Sequence, residues 1–193
     1  MDVLLQLAGT RRPRLVVDLG SGTGISTMLW APHAERVVGV EPLDEMREIA
    51  EAGNASANVS FKAGVAQQTG VPDGAADIVT CAQSLHHTEP AGTMREIGRI
   101  LRPGGVFAAY DYDWPPMVHW EANQAFAVFM DGIRALRTKH GIQSEEEQWG
   151  KDQHADRIHR SGAFRHVSEI SLHNVEQCTA ERLVGFACTI GIK

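Results

Sequence analysis

Three alternating glycines, a carboxylate about twenty residues beyond them and two adjacent histidines are the residues of this chain best suited to chemistry. The run Val16-Val17-Asp18-Leu19-Gly20-Ser21-Gly22-Thr23-Gly24 reads as a buried strand that turns through Gly20, Gly22 and Gly24 into a helix reaching about Trp30. Glycine has no Cβ and tolerates positive φ, so a backbone built this way can approach a ligand closely. The helix that follows turns its free N–H groups toward an anion held there. A second apolar run, Arg36 to Pro42, ends in Glu41, and an acid at the end of the strand beside the glycine loop can accept hydrogen bonds from both hydroxyls of a ribose. The spacing is G-x-G-x-G. A dinucleotide fingerprint, G-x-G-x-x-G, would need its last glycine at Ile25 or Thr27.

Further blocks follow in a fixed order. Val59 to Ala63 reads as a third strand leading into Gly64-Val65-Ala66, and Ala76 to Ala82 as a fourth leading into Gln83-Ser84-Leu85-His86-His87. Ile100-Leu101-Arg102-Pro103-Gly104-Gly105-Val106 closes a helix and starts a fifth strand. In this succession the chain resembles the class I S-adenosylmethionine-dependent methyltransferases, in particular the small-molecule branch that includes enzymes of quinone biosynthesis. One departure is Val65, where many relatives carry Asp in a Gly-Asp-Ala block; its loss removes a side-chain acceptor for the adenine amino group.

The resemblance implies an α/β fold, doubly wound and Rossmann-like, with a mainly parallel sheet and helices on both faces. It implies S-adenosyl-L-methionine as cofactor and in-line transfer of its methyl group to a small-molecule acceptor. Carried over residue by residue, Asp18, Gly20, Ser21, Gly22, Thr23 and Gly24 would hold the methionine end and Glu41 the ribose. Pro42 and Met46 would flank adenine, Ala66 and Gln67 would meet its polar edge, and Gln83 would lie beside the methionyl portion. Catalytic candidates stand on the rim formed by the carboxyl ends of strands four and five: His87, His86 and Asp111, a histidine near neutrality being able to take a proton from the acceptor. A catalytically silent adenosylmethionine-binding module and an NAD-dependent oxidoreductase are the readings from other classes, the latter opposed by the glycine spacing.

Composition narrows the partners. With 18 basic and 24 acidic side chains and a formal charge of −6, the chain has no basic stripe for nucleic acid, and Arg11-Arg12-Pro13-Arg14 reads as a solvated turn. No apolar stretch has the length of a membrane span, and no signal peptide is visible, so a cytoplasmic location is expected. Cys81, Cys178 and Cys188 lack C-x-x-C spacing, the two adjacent histidines need further ligands, and His154 and His159, five apart, do not share a helical face. No metal site is indicated. Cys81 reads as a small buried apolar residue of strand four.

The elements that must position these residues are strands of four to seven residues alternating with helical patterns from Leu15 to Tyr112. Residues 1–193 read as a single domain, with the cofactor-binding core at 1–112 and substrate-side elements at 113–193. Asp2 to Ala8 supplies a short helix of the kind that helps cover the cofactor, and a helix spans about Leu43 to Ala52. Beyond a turn at Asp113 to Pro116, a long helix near Glu121 to His140 carries Phe126, Phe129, Met130, Ile133 and Leu136 on one stripe. Gly141 to Gly150 reads as a polar loop, Phe164 to Val175 as a strand and Thr179 to Ile190 as a helix. The last strand of the family's sheet is then missing, and the incomplete edge is expected to support a homodimer or to be completed in a longer form of the chain.

Overall fold

The computed structural model describes residues 1–112, 118–142, 149–173 and 177–191. The chain divides into two compact units, one of Met1–Asp111 with Glu147–Ser168, the other of Tyr112–Glu146 with Glu169–Lys193. The first unit thus takes in residues 147–168 together with the amino-terminal part of the chain.

The first unit is built on a five-stranded, wholly parallel sheet: β1 (Val16–Leu19), β2 (Val37–Glu41), β3 (Val59–Ala63), β4 (Ala76–Ala82) and β5 (Leu101–Tyr110), in the order β3-β2-β1-β4-β5. Strands β1 and β2 are buried along their whole length, as continuous apolar runs covered on both faces must be. Alternate side chains serve opposite faces. Val17, Leu19, Val38, Val40, Val79 and Cys81 join Met94, Ile97 and Ile100 of α4 (Pro90–Ile100) in one core, while Val16, Val37 and Ile78 join Ala8, Trp30 and Ala34 in another. Sheet order reverses between β1 and β4, which puts the crevice for a ligand at their carboxyl ends.

The connecting helices follow the expected positions: α1 (Asp2–Leu7), α2 (Ile25–Leu29) and α3 (Asp44–Gly53). Leu4 and Leu5 of α1 pack on the core that holds Val16 and Trp30, and Arg102 at the start of β5 donates to the Ala8 carbonyl. The same Arg102 pairs with Asp77, whose carboxylate also takes the N–H groups of Arg14 and Leu15. Burial would raise the Asp77 carboxyl, but these donors hold it below its ordinary value. α1 is thereby tied to the sheet near the amino ends of β4 and β5.

Two expectations for the later chain need correction. Residues 164–173 form no strand, and 174 and 175 lie outside the described residues. Only Phe164 reaches the core, stacking on Phe107 with ring centroids 5.5 Å apart, whereas Ile170 and Leu172 are exposed. An alternating pattern makes a strand only where a partner edge accepts it. The second correction is a helix the sequence reading did not assign, α6 (His154–Arg160), entered through a 3-10 turn at Lys151–Gln153 and closed by Gly162 at φ 67°. The turn expected at Asp113 to Pro116 lies outside the described residues.

In the second unit, α5 (Trp120–His140) matches the long helix, ending at Gly141 in the left-handed region, and α7 (Ala180–Gly191) matches the last. Of the anticipated stripe on α5, Phe126 is buried while Phe129 and Leu136 are exposed. Among the described residues no helix is long and apolar enough to cross a membrane.

Helix α4 anchors the loop after β3. Pro90 opens it, and Glu89 caps it by accepting from the N–H groups of Ala91 and Gly92. Two turns later Glu96, buried, accepts from the Thr69 N–H at 2.8 Å and the Thr69 hydroxyl at 2.6 Å and pairs with Arg99. The Arg99 hydrogen bond, opposed by burial and helped by Thr69, holds the Glu96 carboxyl down at about 2. An acid lowered in the folded state stabilises it above the unfolded value of about 4.5 and loses that contribution as pH falls toward 2. Glu96→Gln should therefore cost about 2 kcal/mol at pH 7 and flatten the acid limb of the stability curve, read by urea unfolding from pH 7 to pH 2.

Candidate functional site

The site starts from a carboxylate that never meets solvent. Asp18 in β1 is buried and accepts from the hydroxyls of Thr27 in α2 and Thr80 in β4, each at 2.7 Å. Its register partner in β4 is Thr80 itself. Burial pushes the Asp18 carboxyl up to about 6, with the hydroxyl bonds pulling the other way. Among the residues expected to hold the methionine end, Asp18 thus acts from behind, tying the strand, the helix and the neighbouring strand at the root of the loop.

Above it the three glycines all lie in the left-handed region, at φ 66°, 53° and 83° for Gly20, Gly22 and Gly24. Their reasons differ. A Cβ on Gly20 would stand 2.6 Å from the Ser84 Cβ, and one on Gly24 would stand 2.7 Å from the Phe61 ring, whereas one on Gly22 would meet nothing within 4 Å. Gly20 and Gly24 serve packing; Gly22 faces open space. Ser84 locks the first contact by donating to the Leu19 carbonyl at 2.6 Å. Gly24 is the N-cap of α2, but that helix has only five residues, so the local N–H groups of the loop outweigh any long helix dipole. Ser21 is buried and its Oγ has no hydrogen-bond partner among the described residues; Thr23 is half-buried.

Glu41 closes the loop against β2. Its carboxylate accepts from the Gly22 N–H at 2.9 Å and from the Leu43 N–H at 3.1 Å. Each oxygen keeps a second lone pair for a hydroxyl donor. Pro42 is exposed and Met46 half-buried on α3, with Arg47 donating to the carbonyls of Glu41 and Pro42. Across the crevice Ala66 is buried and Gln67 is exposed, its side chain lying against Gly92 of α4 closely enough that a Cβ there would meet Gln67 Cγ at 2.9 Å.

The β4–β5 rim carries the titratable groups. Gln83 has φ 54°, the one positive value for a non-glycine among the described residues, and its Oε1 accepts from Lys151 Nζ at 2.7 Å. Strain of that kind marks positions that the surrounding structure fixes. His86 and His87 follow in a 3-10 turn, His86 buried and His87 exposed, with ring centroids 4.0 Å apart. Asp111, just past β5, lies 3.8 Å from His86 Nδ1 and 3.7 Å from His154 Nε2, and 3.3 Å from Lys151 Nζ. Burial, with His87 and Lys151 adding to it and Asp111 opposing, lowers His86 to about 4; burial likewise lowers His154 against the pull of Asp111. Both rings are neutral near pH 7. Tyr110 at the end of β5 shares a hydrogen bond with Ser26. Cys81 is fully buried, and burial pushes its thiol far up, which makes it the inert apolar residue expected.

Several residues of this site escaped the sequence reading. Thr80 carried a signal, since it is a hydroxyl in the otherwise apolar run Ile78 to Ala82, and Thr27 carried none. Gly39 carried a weaker one: a Cβ on it would meet the Phe61 ring at 2.6 Å. His154 and Lys151 carried none, because their element is short and weakly periodic.

Residues 17–109 match a family model described as a methyltransferase domain. The chain is 29% identical over 154 residues to YcgJ of Bacillus subtilis, an uncharacterized methyltransferase, covering 77% of this chain and 58% of that one. The crystal structure of YcgJ superposes with a TM-score of 0.60 at 23% identity over 83% of this chain and 66% of that chain, a similarity of fold. The chain is also 31% identical over 112 residues to the ubiquinone/menaquinone biosynthesis C-methyltransferase UbiE of Rubrivivax gelatinosus, covering 58% of this chain and 44% of that one. It thus spans about half the length of these curated relatives.

The glycines separate structure from ligand. Gly20→Ala combines a left-handed φ with a clash on Ser84 and should cost about 3 kcal/mol or more in urea unfolding. Gly22→Val should cost about 1–2 kcal/mol from backbone strain, leaving a folded protein whose loop space is filled.

Proposed function

We propose, on the premise that this chain carries a class I S-adenosylmethionine-dependent methyltransferase domain, that it catalyses methyl transfer to a small-molecule acceptor, releasing S-adenosylhomocysteine. The observation that carries this reading is the apposition of Gly22 and Glu41: a glycine that faces open space, bonded through its N–H to a buried carboxylate at the end of the adjacent strand. Glu41 is placed to take ribose hydroxyls on its remaining lone pairs, while Gly20, Ser21, Gly22, Thr23 and Gly24 receive the amino-acid end. Pro42 and Met46 would flank the adenine and Ala66 and Gln67 its edge, with Gln83 beside the methionyl chain. Asp18 holds the loop in shape from the interior.

Bound S-adenosylmethionine supplies an electrophilic methyl group on a sulfonium, so that attack by the acceptor breaks the carbon–sulfur bond and leaves a neutral thioether. The protein's own share is alignment, exclusion of water and handling of the acceptor's proton. His87, exposed on the rim, is the residue assigned to accept that proton. His86 is buried beside it, and Asp111 lies 3.8 Å from His86 Nδ1. The acidic balance of the chain and the quinone-pathway enzyme among its relatives support a small metabolite as acceptor. Self-association at the edge strand β5, which pairs only with β4 among the described residues, belongs to the same proposal.

Calorimetric titration with S-adenosylmethionine, S-adenosylhomocysteine and NADH tests the cofactor class. One-to-one binding of the first two and none of the third is expected. Glu41→Ala should weaken S-adenosylhomocysteine by about 1.5–3 kcal/mol, roughly ten- to a hundredfold, with the fold checked by circular dichroism. A folded variant that binds as tightly as the parent would remove Glu41 from the ribose site.

A further inference from the structure

Behind the β4–β5 rim, three donors from distant parts of the first unit converge. His86 comes from the turn after β4, Asp111 from the end of β5 and His154 from the first residue of α6. One ligand atom of each lies within 4.8 Å of the others. Hydrogen bonding does not account for the arrangement. His86 Nδ1 and both nitrogens of His154 are buried without a hydrogen-bond partner among the described residues, and the approaches to Asp111, at 3.8 and 3.7 Å, are too long to be hydrogen bonds. Buried imidazoles that could have closed on a carboxylate to satisfy themselves instead stand 3.7 to 3.8 Å from it.

We propose that His86, Asp111 and His154 form a binding site for a single zinc ion, with two imidazole nitrogens and one carboxylate oxygen as its ligands and a fourth position available to water or another small oxygen donor. The donor set is the one borderline divalent cations prefer, and three protein ligands of this kind are the pattern of a zinc site that keeps an open position. Zinc bonds of about 2.0–2.1 Å set tetrahedral ligand separations of about 3.3–3.4 Å, so the donor atoms, which lie within 4.8 Å of one another, must close on the ion by up to about 1.4 Å. The carboxylate already draws positive charge: Lys151 Nζ lies 3.3 Å from Asp111 Oδ1 while holding Gln83 Oε1 at 2.7 Å. Lys151 is one-third exposed at its side chain and can withdraw to solvent when a dication takes the carboxylate. It is therefore a competitor for the site, which gives the proposal a second, oppositely signed consequence. Nothing in it depends on the methyl-transfer reading.

The test uses the full chain, freed of metal with a chelator and titrated with Co2+ as a spectroscopic probe and with Zn2+ by calorimetry and by displacement of Co2+. One-to-one binding is expected, with the visible ligand-field bands of four-coordinate Co2+, lost when Zn2+ is added. His154→Ala should weaken both metals on the order of a hundredfold or more while circular dichroism stays unchanged. Lys151→Met, which removes the competing ammonium and no ligand, should tighten both by about tenfold. Absence of stoichiometric binding to the parent protein, unchanged affinity in a folded His154→Ala, or weaker binding in Lys151→Met would each overturn the site. S-adenosylhomocysteine titrated against the same metal-free samples reads the cofactor site separately, so loss of one reading leaves the other standing.

Discussion

The geometry of the loop between β1 and α2 depends on one buried carboxylate. Asp18 has almost no accessible surface, and its two oxygens are taken by hydroxyls from α2 and β4. A charge placed there is costly, and the rise of the carboxyl to about 6 expresses that cost. It persists because the two bonds fix three elements at the point where the chain must leave β1 and reverse through a left-handed loop. Tyr110 and Cys81 register the same buried group, since its charge adds to burial in pushing both of them up.

The rest of the crevice is assembled on that fixed root by contacts that leave one direction open. Gly20 is pressed against Ser84, Ser84 is bonded to Leu19, and Gly24 rests on Phe61. Gly22 alone faces outward, steadied by Glu41. On the far side Glu96, Thr69 and Arg99 hold the loop that carries Ala66 and Gln67. The two walls are thus braced by separate charged networks, one at the reversal of sheet order and one on α4. Neither shares a residue with the Asp77–Arg102 pair near the amino ends of β4 and β5.

Much of this was legible because buried parallel strands write themselves as apolar runs. Val16–Leu19, Val37–Glu41 and Ala76–Ala82 needed no context to be recognised, and the glycine spacing marked the left-handed turn that leaves β1 and meets Glu41. What the sequence did not disclose is decided by partners far away in the chain. Phe164 to Val175 alternates well enough for a strand, yet the described part is irregular and leaves Ile170 and Leu172 exposed. The pairing of Asp18 with Thr80 follows from sheet register, which no local pattern encodes. His154 is further removed still: it lies on a seven-residue helix with a single apolar position of note, Ile158, and only tertiary structure brings it to His86 and Asp111.

The Gly22–Glu41 apposition is proposed as the floor of an adenosyl site. A crystal structure of the chain with S-adenosylhomocysteine tests it most directly. Ribose hydroxyls within hydrogen-bond distance of the Glu41 carboxylate, and the homocysteine moiety against the backbone of residues 20–24, are expected. Density for the ligand anywhere else, or a ribose turned away from Glu41, would contradict it.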